Sequence, residues 1–192
     1  MRITKSDVIQ TAADIADKNG LSNVSLKAVA ESLNIRTPSL YNHIDSLEAL
    51  LREIAHNGMK TMNERIMQAA IGKIGDDAIK SVGITYLNYM IEHPGIYETI
   101  QWATWHGTEE TGKIFDNYLA LLKTLALSCN FNPVNIDEIL NLLTGVLHGY
   151  TTLQLRYAFT KPDEVRAALS AALDTVLAGL HQKYDQHEKE HL

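Results

Sequence analysis

Apolar residues recur at three- and four-residue spacing along almost the whole of this 192-residue chain, and that period commits it to helices. Val8, Ile9, Ala12, Ala13, Ile15 and Ala16 make one face of a helix over 5–19, and Gly20 is the expected stop. Four prolines punctuate the pattern. Pro38 suits the start of a helix behind Thr37 as N-cap, and His93-Pro94-Gly95 ends a helix over 77–93 because the residue before proline disfavours the helical region. Asn132-Pro133 and Lys161-Pro162-Asp163 separate the last three helices. The eighth, capped by Asn135 and running to Phe159, carries Ile139, Leu143, Leu147, Tyr150, Leu153 and Tyr157; the ninth carries Leu169, Leu173, Val176, Leu177 and Leu180. A fourth helix spans Ser46 to about Ile71, long enough to carry a change of tilt between two parts of the chain, and a seventh spans 108–128. The expected fold class is all-α with about nine helices.

Composition excludes several classes. No apolar run approaches the roughly 20 residues that cross a bilayer, and the N-terminus lacks a signal-peptide stretch, which places the chain in the cytoplasm. One cysteine, Cys129, allows neither an intrachain disulfide nor a multi-cysteine metal site. The net charge is −6, yet residues 1–60 balance at seven Lys/Arg against seven Asp/Glu, so the excess acidity lies downstream.

The first 44 residues read as helix, helix, turn, helix. Ser25 caps the second helix and leaves Lys27 on its open side. Asn34 suits a left-handed turn position between Leu33 and Ile35. In the segment from Arg36 to Ser46, Leu40 and Ile44 share one side, which turns Pro38, Ser39, Tyr41 and Asn42 outward or sideways. That outer set is small, polar and aromatic. It can enter a groove and donate hydrogen bonds, whereas a solvated helix more often carries Glu and Lys. The layout fits a helix-turn-helix reader of DNA, or equally a plain three-helix bundle.

The run Ala13 to Gly20, Ser25-Leu26-Lys27-Ala28-Val29-Ala30, Pro38-Ser39-Leu40-Tyr41-Asn42-His43-Ile44 and Leu47-Glu48-Ala49-Leu50-Leu51 resembles the N-terminal domain of TetR-family transcriptional regulators, over about 50 residues. The resemblance implies that Lys27 reaches a base or phosphate. It also implies that Thr37, Pro38 and Ser39 approach the major groove, and that Tyr41 and His43 hold the backbone. Ser25, Arg36 and Asn42 complete the candidate DNA-binding set. Many members carry a lysine at the start of the fourth helix; this chain has Leu47, and that phosphate contact is expected to be missing. The implied organisation is a DNA-binding domain over 1–46 and a ligand-binding and dimerisation domain over 47–192.

Twelve of the thirteen aromatic residues lie at or beyond Tyr86. Core packing explains most such residues, but a pocket in a helical domain is lined in the same way. Tyr89, Trp102, Trp105, His106, Phe115, Tyr118 and Tyr150 are the candidate ligand-binding residues. The triplet Trp105-His106-Gly107 also resembles the signature of one branch of TetR-family C-terminal domains, named for those residues. Gly145, Gly149, Ala167, Ala171 and Ala178 give the last two helices a smooth second face, which predicts a homodimer through a four-helix interface.

No catalytic set emerges from the eight histidines, and neither a cofactor nor a membrane partner is implied. His187 and His191, four apart, have a spacing that a metal ion can use on a helix, but in a charged tail they read as solvated histidines, and no metal site is expected. The expected function is a ligand-responsive repressor that binds a pseudo-palindromic operator as a homodimer and is released by a small apolar or aromatic effector. A helical small-molecule-binding protein without DNA binding is the alternative, followed by a small helical enzyme.

Overall fold

A computed structural model of the chain describes residues 3–184, and over them every element is helical. The pair His187 and His191 lies outside the described residues. No helix among the described residues is long and apolar enough to cross a membrane. The nine α-helices are α1 (Lys5–Asn19), α2 (Leu26–Ser32), α3 (Thr37–Leu40), α4 (Leu47–Ala70), α5 (Gly75–Glu92), α6 (Pro94–His106), α7 (Glu109–Leu127), α8 (Ile136–Leu155) and α9 (Val165–Tyr184). Over the described residues they gather into two compact units. One takes Met1–Thr61 and Glu92–Phe115, the other Met62–Ile91 and Asp116–Leu192.

The first unit is built on α1. Thr4 caps it reciprocally with Asp7, and Gly20 ends it at φ +86°, a conformation that a side chain resists. Val8, Ala12, Val29, Leu40 and Leu50 are fully buried at the centre, with Leu47, Ile96 and Trp102 packed around them. Helix α6 lies against α1, and the contact is specific. The Asp17 Oδ1 atom accepts the backbone N–H groups of Gly95 and Ile96 at 2.8 and 3.1 Å, while His93 Nδ1 lies 2.9 Å from Asp17 Oδ2. A carboxylate from another helix thus satisfies the open amides at the start of α6. At the same place a Cβ on Gly95 would sit 2.1 Å from the Ala16 carbonyl carbon, so only glycine lets the two backbones approach.

Pro94 therefore does more than end α5: it occupies the first turn of α6, where its missing N–H has no partner to lose. A similar adjustment applies at α3. Arg36, not Thr37, holds the N-cap position and makes no side-chain cap; its carbonyl accepts the Ser39 N–H at 2.9 Å. Proline is tolerated one place further in because the first amides of a helix all lack intrahelical acceptors. Asn34, at φ +54°, takes the left-handed position expected of it.

In the second unit α8 and α9 pack antiparallel, tied at one end by Lys183 and Glu138 at 3.2 Å. Ile136, Ile139, Leu143 and Leu147 bury against Leu169, Leu173, Leu177 and Leu180. Two expected ends of α8 shift. It stops at Leu155 rather than Phe159, because Tyr157 turns left-handed (φ +53°) and the Ala158 N–H closes on the Leu153 carbonyl; Tyr157 is accordingly 85% exposed. Asn135 precedes α8 without capping it, while Asn132 accepts from the Val134 N–H at 3.0 Å and caps the single 3-10 turn ahead of it.

Candidate nucleic-acid interface and effector chamber

Helices α2 and α3 present one outer surface. The Ser25 Oγ atom accepts the Ala28 N–H at 3.1 Å, so this hydroxyl is engaged as the N-cap of α2. Lys27 stands exposed one turn from Glu31, 3.8 Å away, an exposed pair that a phosphate can displace at little cost. Across the turn, Leu40 is fully buried and Ile44 nearly so, which fixes the rotation of α3. Arg36, Pro38 and Asn42 are exposed, Tyr41 is 57% exposed, and Thr37, Ser39 and His43 are half-buried. Arg36 forms no ion pair among the described residues. The structure thus brings Lys27, Arg36, Tyr41 and Asn42 onto exposed parts of one short helix-turn-helix, with hydrogen-bonding groups and two cations turned outward.

Just beyond it Ser46 accepts the Ala49 N–H at 3.1 Å and caps α4. Leu47, half-buried, packs on the core of the first unit, which accounts for an apolar residue there. Sequence reasoning missed a polar cluster nearby. His56 is buried, with Nε2 2.7 Å from the Thr111 hydroxyl and Nδ1 3.9 Å from Glu110. Burial pushes its pKa below the ordinary histidine value, with Glu110 pulling more weakly the other way. A histidine four residues from an arginine in a helix gave no signal of this, because the threonine partner is 55 residues away.

The aromatic candidates fall in different places. Trp102 packs on the core of the first unit and stacks flat on His106, with ring centroids 4.5 Å apart; Trp105 is 87% exposed. His106 Nδ1 lies 2.9 Å from the Trp102 carbonyl, and its own carbonyl accepts from Arg52 at 3.3 Å. Phe115 is half-buried at the end of the first unit. In the second unit Tyr89 is buried with the Arg65 guanidinium 4.8 Å above its ring, and Tyr150 packs on Phe159 at 5.2 Å. Tyr118 is buried too, and desolvation raises its hydroxyl pKa above the ordinary value. None of the seven lines a small, partly open cavity of this unit. That cavity, about 20 Å³, is bounded by Ile79, Val82, Leu122, Leu125, Leu140, Leu143, Thr144, Leu147 and Leu173.

The outer side of α8 and α9 is smooth. Gly145, Gly149, Ala167, Ala171, Ala178 and Gly179 are exposed, with Leu142 and Leu153 beside them at 46% and 44% exposure. An open groove of about 540 Å³ runs along it past Leu142, Val176, Gly179 and Tyr184.

Residues 79–176 match the family model described as "Tetracyclin repressor-like, C-terminal domain". The uncharacterized HTH-type transcriptional regulator YobS of Bacillus subtilis (strain 168) is 30% identical over 179 residues, covering 93% of this chain and 93% of the relative. A second relative, the uncharacterized HTH-type transcriptional regulator Rv0681 of Mycobacterium tuberculosis (strain ATCC 25618 / H37Rv), is 29% identical over 96 residues, 50% of this chain and 44% of its own length. Among solved structures, a protein with unknown function from Rhodococcus sp. RHA1 matches with a TM-score of 0.82 at 16% identity, covering 94% of this chain and 96% of that one. A TetR variant from Acinetobacter baumannii AYE in complex with minocycline matches with a TM-score of 0.72 at 19% identity, covering 96% and 100%. At such identities the likeness is one of fold. The relative that shares nearly its whole length with this chain, and the model that spans more than half of it, establish that the chain belongs to the TetR family of helix-turn-helix transcriptional regulators.

Proposed function

We propose that this regulator is a cytoplasmic, homodimeric repressor whose operator affinity falls when a small apolar molecule binds its second unit. The observation that carries the DNA reading is the outer surface of α2 and α3, where Lys27, Arg36, Tyr41 and Asn42 stand exposed above a fully buried Leu40. Lys27 and Arg36 neutralise phosphates, Thr37, Pro38 and Ser39 approach base edges in the major groove, and Tyr41 and His43 hold the sugar-phosphate backbone. Ser25 keeps the start of α2 in place. Residues 1–46 carry the DNA contacts and residues 47–192 carry effector binding and pairing, with Tyr89, Tyr118 and Tyr150 as the aromatic candidates of the second unit. The small exposed residues of α8 and α9 support pairing through those helices, since glycine and alanine let helix axes approach closely.

A two-fold dimer places its recognition helices about 34–36 Å apart, one turn of DNA, on a pseudo-palindromic site. Effector binding lowers operator affinity only so far as the effector prefers the state that does not bind DNA, typically a factor of about 5–150. Footprinting of the purified protein on the DNA flanking its own gene, repeated with apolar compounds, tests this. Two protected half-sites about one turn apart, lost with one compound, are expected. No protection at low salt would overturn the DNA reading in favour of a helical small-molecule-binding protein.

A further inference from the structure

We propose that the effector is an uncharged amphiphile with a single aliphatic chain, its tail in the cavity between α5, α7, α8 and α9 and its head at Thr151. This rests on the ligand-responsive reading above and names the ligand class for the second unit. The cavity has aliphatic walls with Thr144 as the one polar residue. A water molecule needs two to four polar partners, so the space suits hydrocarbon instead. It is narrow, about 20 Å³, and its walls are mostly leucine. A chain one methylene wide can thread between such side chains as they change rotamer, whereas a ring needs width all at once. Gly83 of α5 adds to this. A Cβ there would lie 2.9 Å from Leu173 Cδ1 and 3.1 Å from Leu147 Cδ2, so the bare backbone leaves both side chains their places in the wall.

Beyond the cavity the same side of α8 continues to two unsatisfied polar groups. Leu140, Thr144, Leu147, Thr151 and Gln154 are spaced four, three, four and three residues apart and form one stripe of the helix. Thr151 is fully buried, and neither its Oγ1 nor the buried Gln154 Oε1 has a hydrogen-bond partner. Native proteins keep few such atoms, and these two lie at the far end of the stripe that lines the cavity. Beside them His148 meets Tyr86 edge-on, with ring centroids 5.8 Å apart, and burial favours the neutral imidazole. An orphaned hydroxyl and an orphaned amide oxygen in a buried setting call for an uncharged head that can both donate and accept hydrogen bonds, a hydroxyl or an amide. From Leu140 to Thr151 the stripe rises about 16 Å at roughly 1.5 Å per residue, so a chain that spans it must displace leucine side chains well beyond the 20 Å³ already empty.

The test is calorimetric titration of the full-length protein with 1-hexanol, 1-octanol and 1-decanol, with decanoate and benzyl alcohol as comparisons. Affinity is expected to rise about fourfold per added methylene, the change that ~0.8 kcal/mol of burial corresponds to, with decanoate at least tenfold weaker than 1-decanol. Thr151→Val should weaken 1-decanol at least fivefold while raising the melting temperature of the free protein, because it removes a buried unpaired hydroxyl. Gly83→Ala should weaken binding by crowding Leu147 and Leu173. Absence of saturable binding, no dependence on chain length, or unchanged affinity in a folded Thr151→Val protein would overturn the proposal. Gel shifts on operator DNA separate it from the broader reading. Alkanol binding that leaves the operator complex intact would overturn ligand responsiveness and keep the site; operator release by a compound that does not compete with 1-decanol would overturn the site alone.

Discussion

Lys27 and Arg36 flank the turn of the first unit, and the fold asks little of either: one pairs loosely with Glu31, the other has no ion pair among the described residues. Replacing each with alanine should leave stability within about 0.5 kcal/mol, as for exposed positions generally. Operator affinity should fall, and each lost phosphate contact should reduce the slope of log K against log salt by about 0.9. Fluorescence anisotropy across a salt series reads this, and unchanged slopes in both folded variants would refute the assignment. His56 behaves differently. Burial lowers its pKa from the ordinary 6.5, so the folded state favours the neutral ring. Its contribution is complete above about pH 6.5 and is lost as the pH falls towards the lowered folded value, because the unfolded chain binds the proton first. His148 is lowered by the same cause and acts in the same direction. The melting temperature should therefore drop between pH 7.5 and 5.5, and His56→Gln should flatten that dependence in circular dichroism melts.

At the scale of elements, what was readable in the sequence was what short-range physics decides. Ser25 caps α2, Gly20 ends α1 and Asn34 turns left-handed, each because a local group or a local torsion settles it. Where two local candidates compete the reading slips by a few residues. Arg36 displaces Thr37 as cap, Asn132 displaces Asn135, and Tyr157 ends a stripe that periodicity alone would continue. The site divides in the same way. Burial of Leu40 and Ile44 followed from their spacing, and with it the outward set on α3, whereas aromatic content marks residues that bury area without naming their neighbours; Trp102 packs on the core of the first unit. The docking of α6 on α1 was illegible, because Asp17 and Gly95 are 78 residues apart and neither has an unusual local pattern. That joint is open to test. Asp17→Ala removes the acceptor of two amides and should cost about 1–3 kcal/mol, while Gly95→Ala, which forces a Cβ into the α1 backbone, should cost more. Urea unfolding of both proteins gives the order; a Gly95→Ala protein as stable as the parent would contradict the close approach.

For the whole molecule, the exposed glycines and alanines of α8 and α9 matter more than the leucines beneath them, since in the proposed homodimer a second copy meets the outer face. Ala171→Arg places a long cation on that face without touching the buried leucine stripe. It should leave helix content unchanged, shift the protein from dimer to monomer in sedimentation, and abolish operator binding; a variant that stays dimeric would move the interface elsewhere. The joint between Asp17 and Gly95 also has a consequence for synthesis. The first unit is assembled from two stretches of sequence, so it cannot close when Thr61 leaves the ribosome. The 45 residues from Thr61 to the end of α6 take roughly 2–9 seconds at about 5–20 residues per second. Through that interval the nascent α1 lacks the helix that covers it, and its alanine-rich flank is open to whatever apolar surface comes first. A half-made chain of this regulator that stalls before residue 95 leaves that flank uncovered.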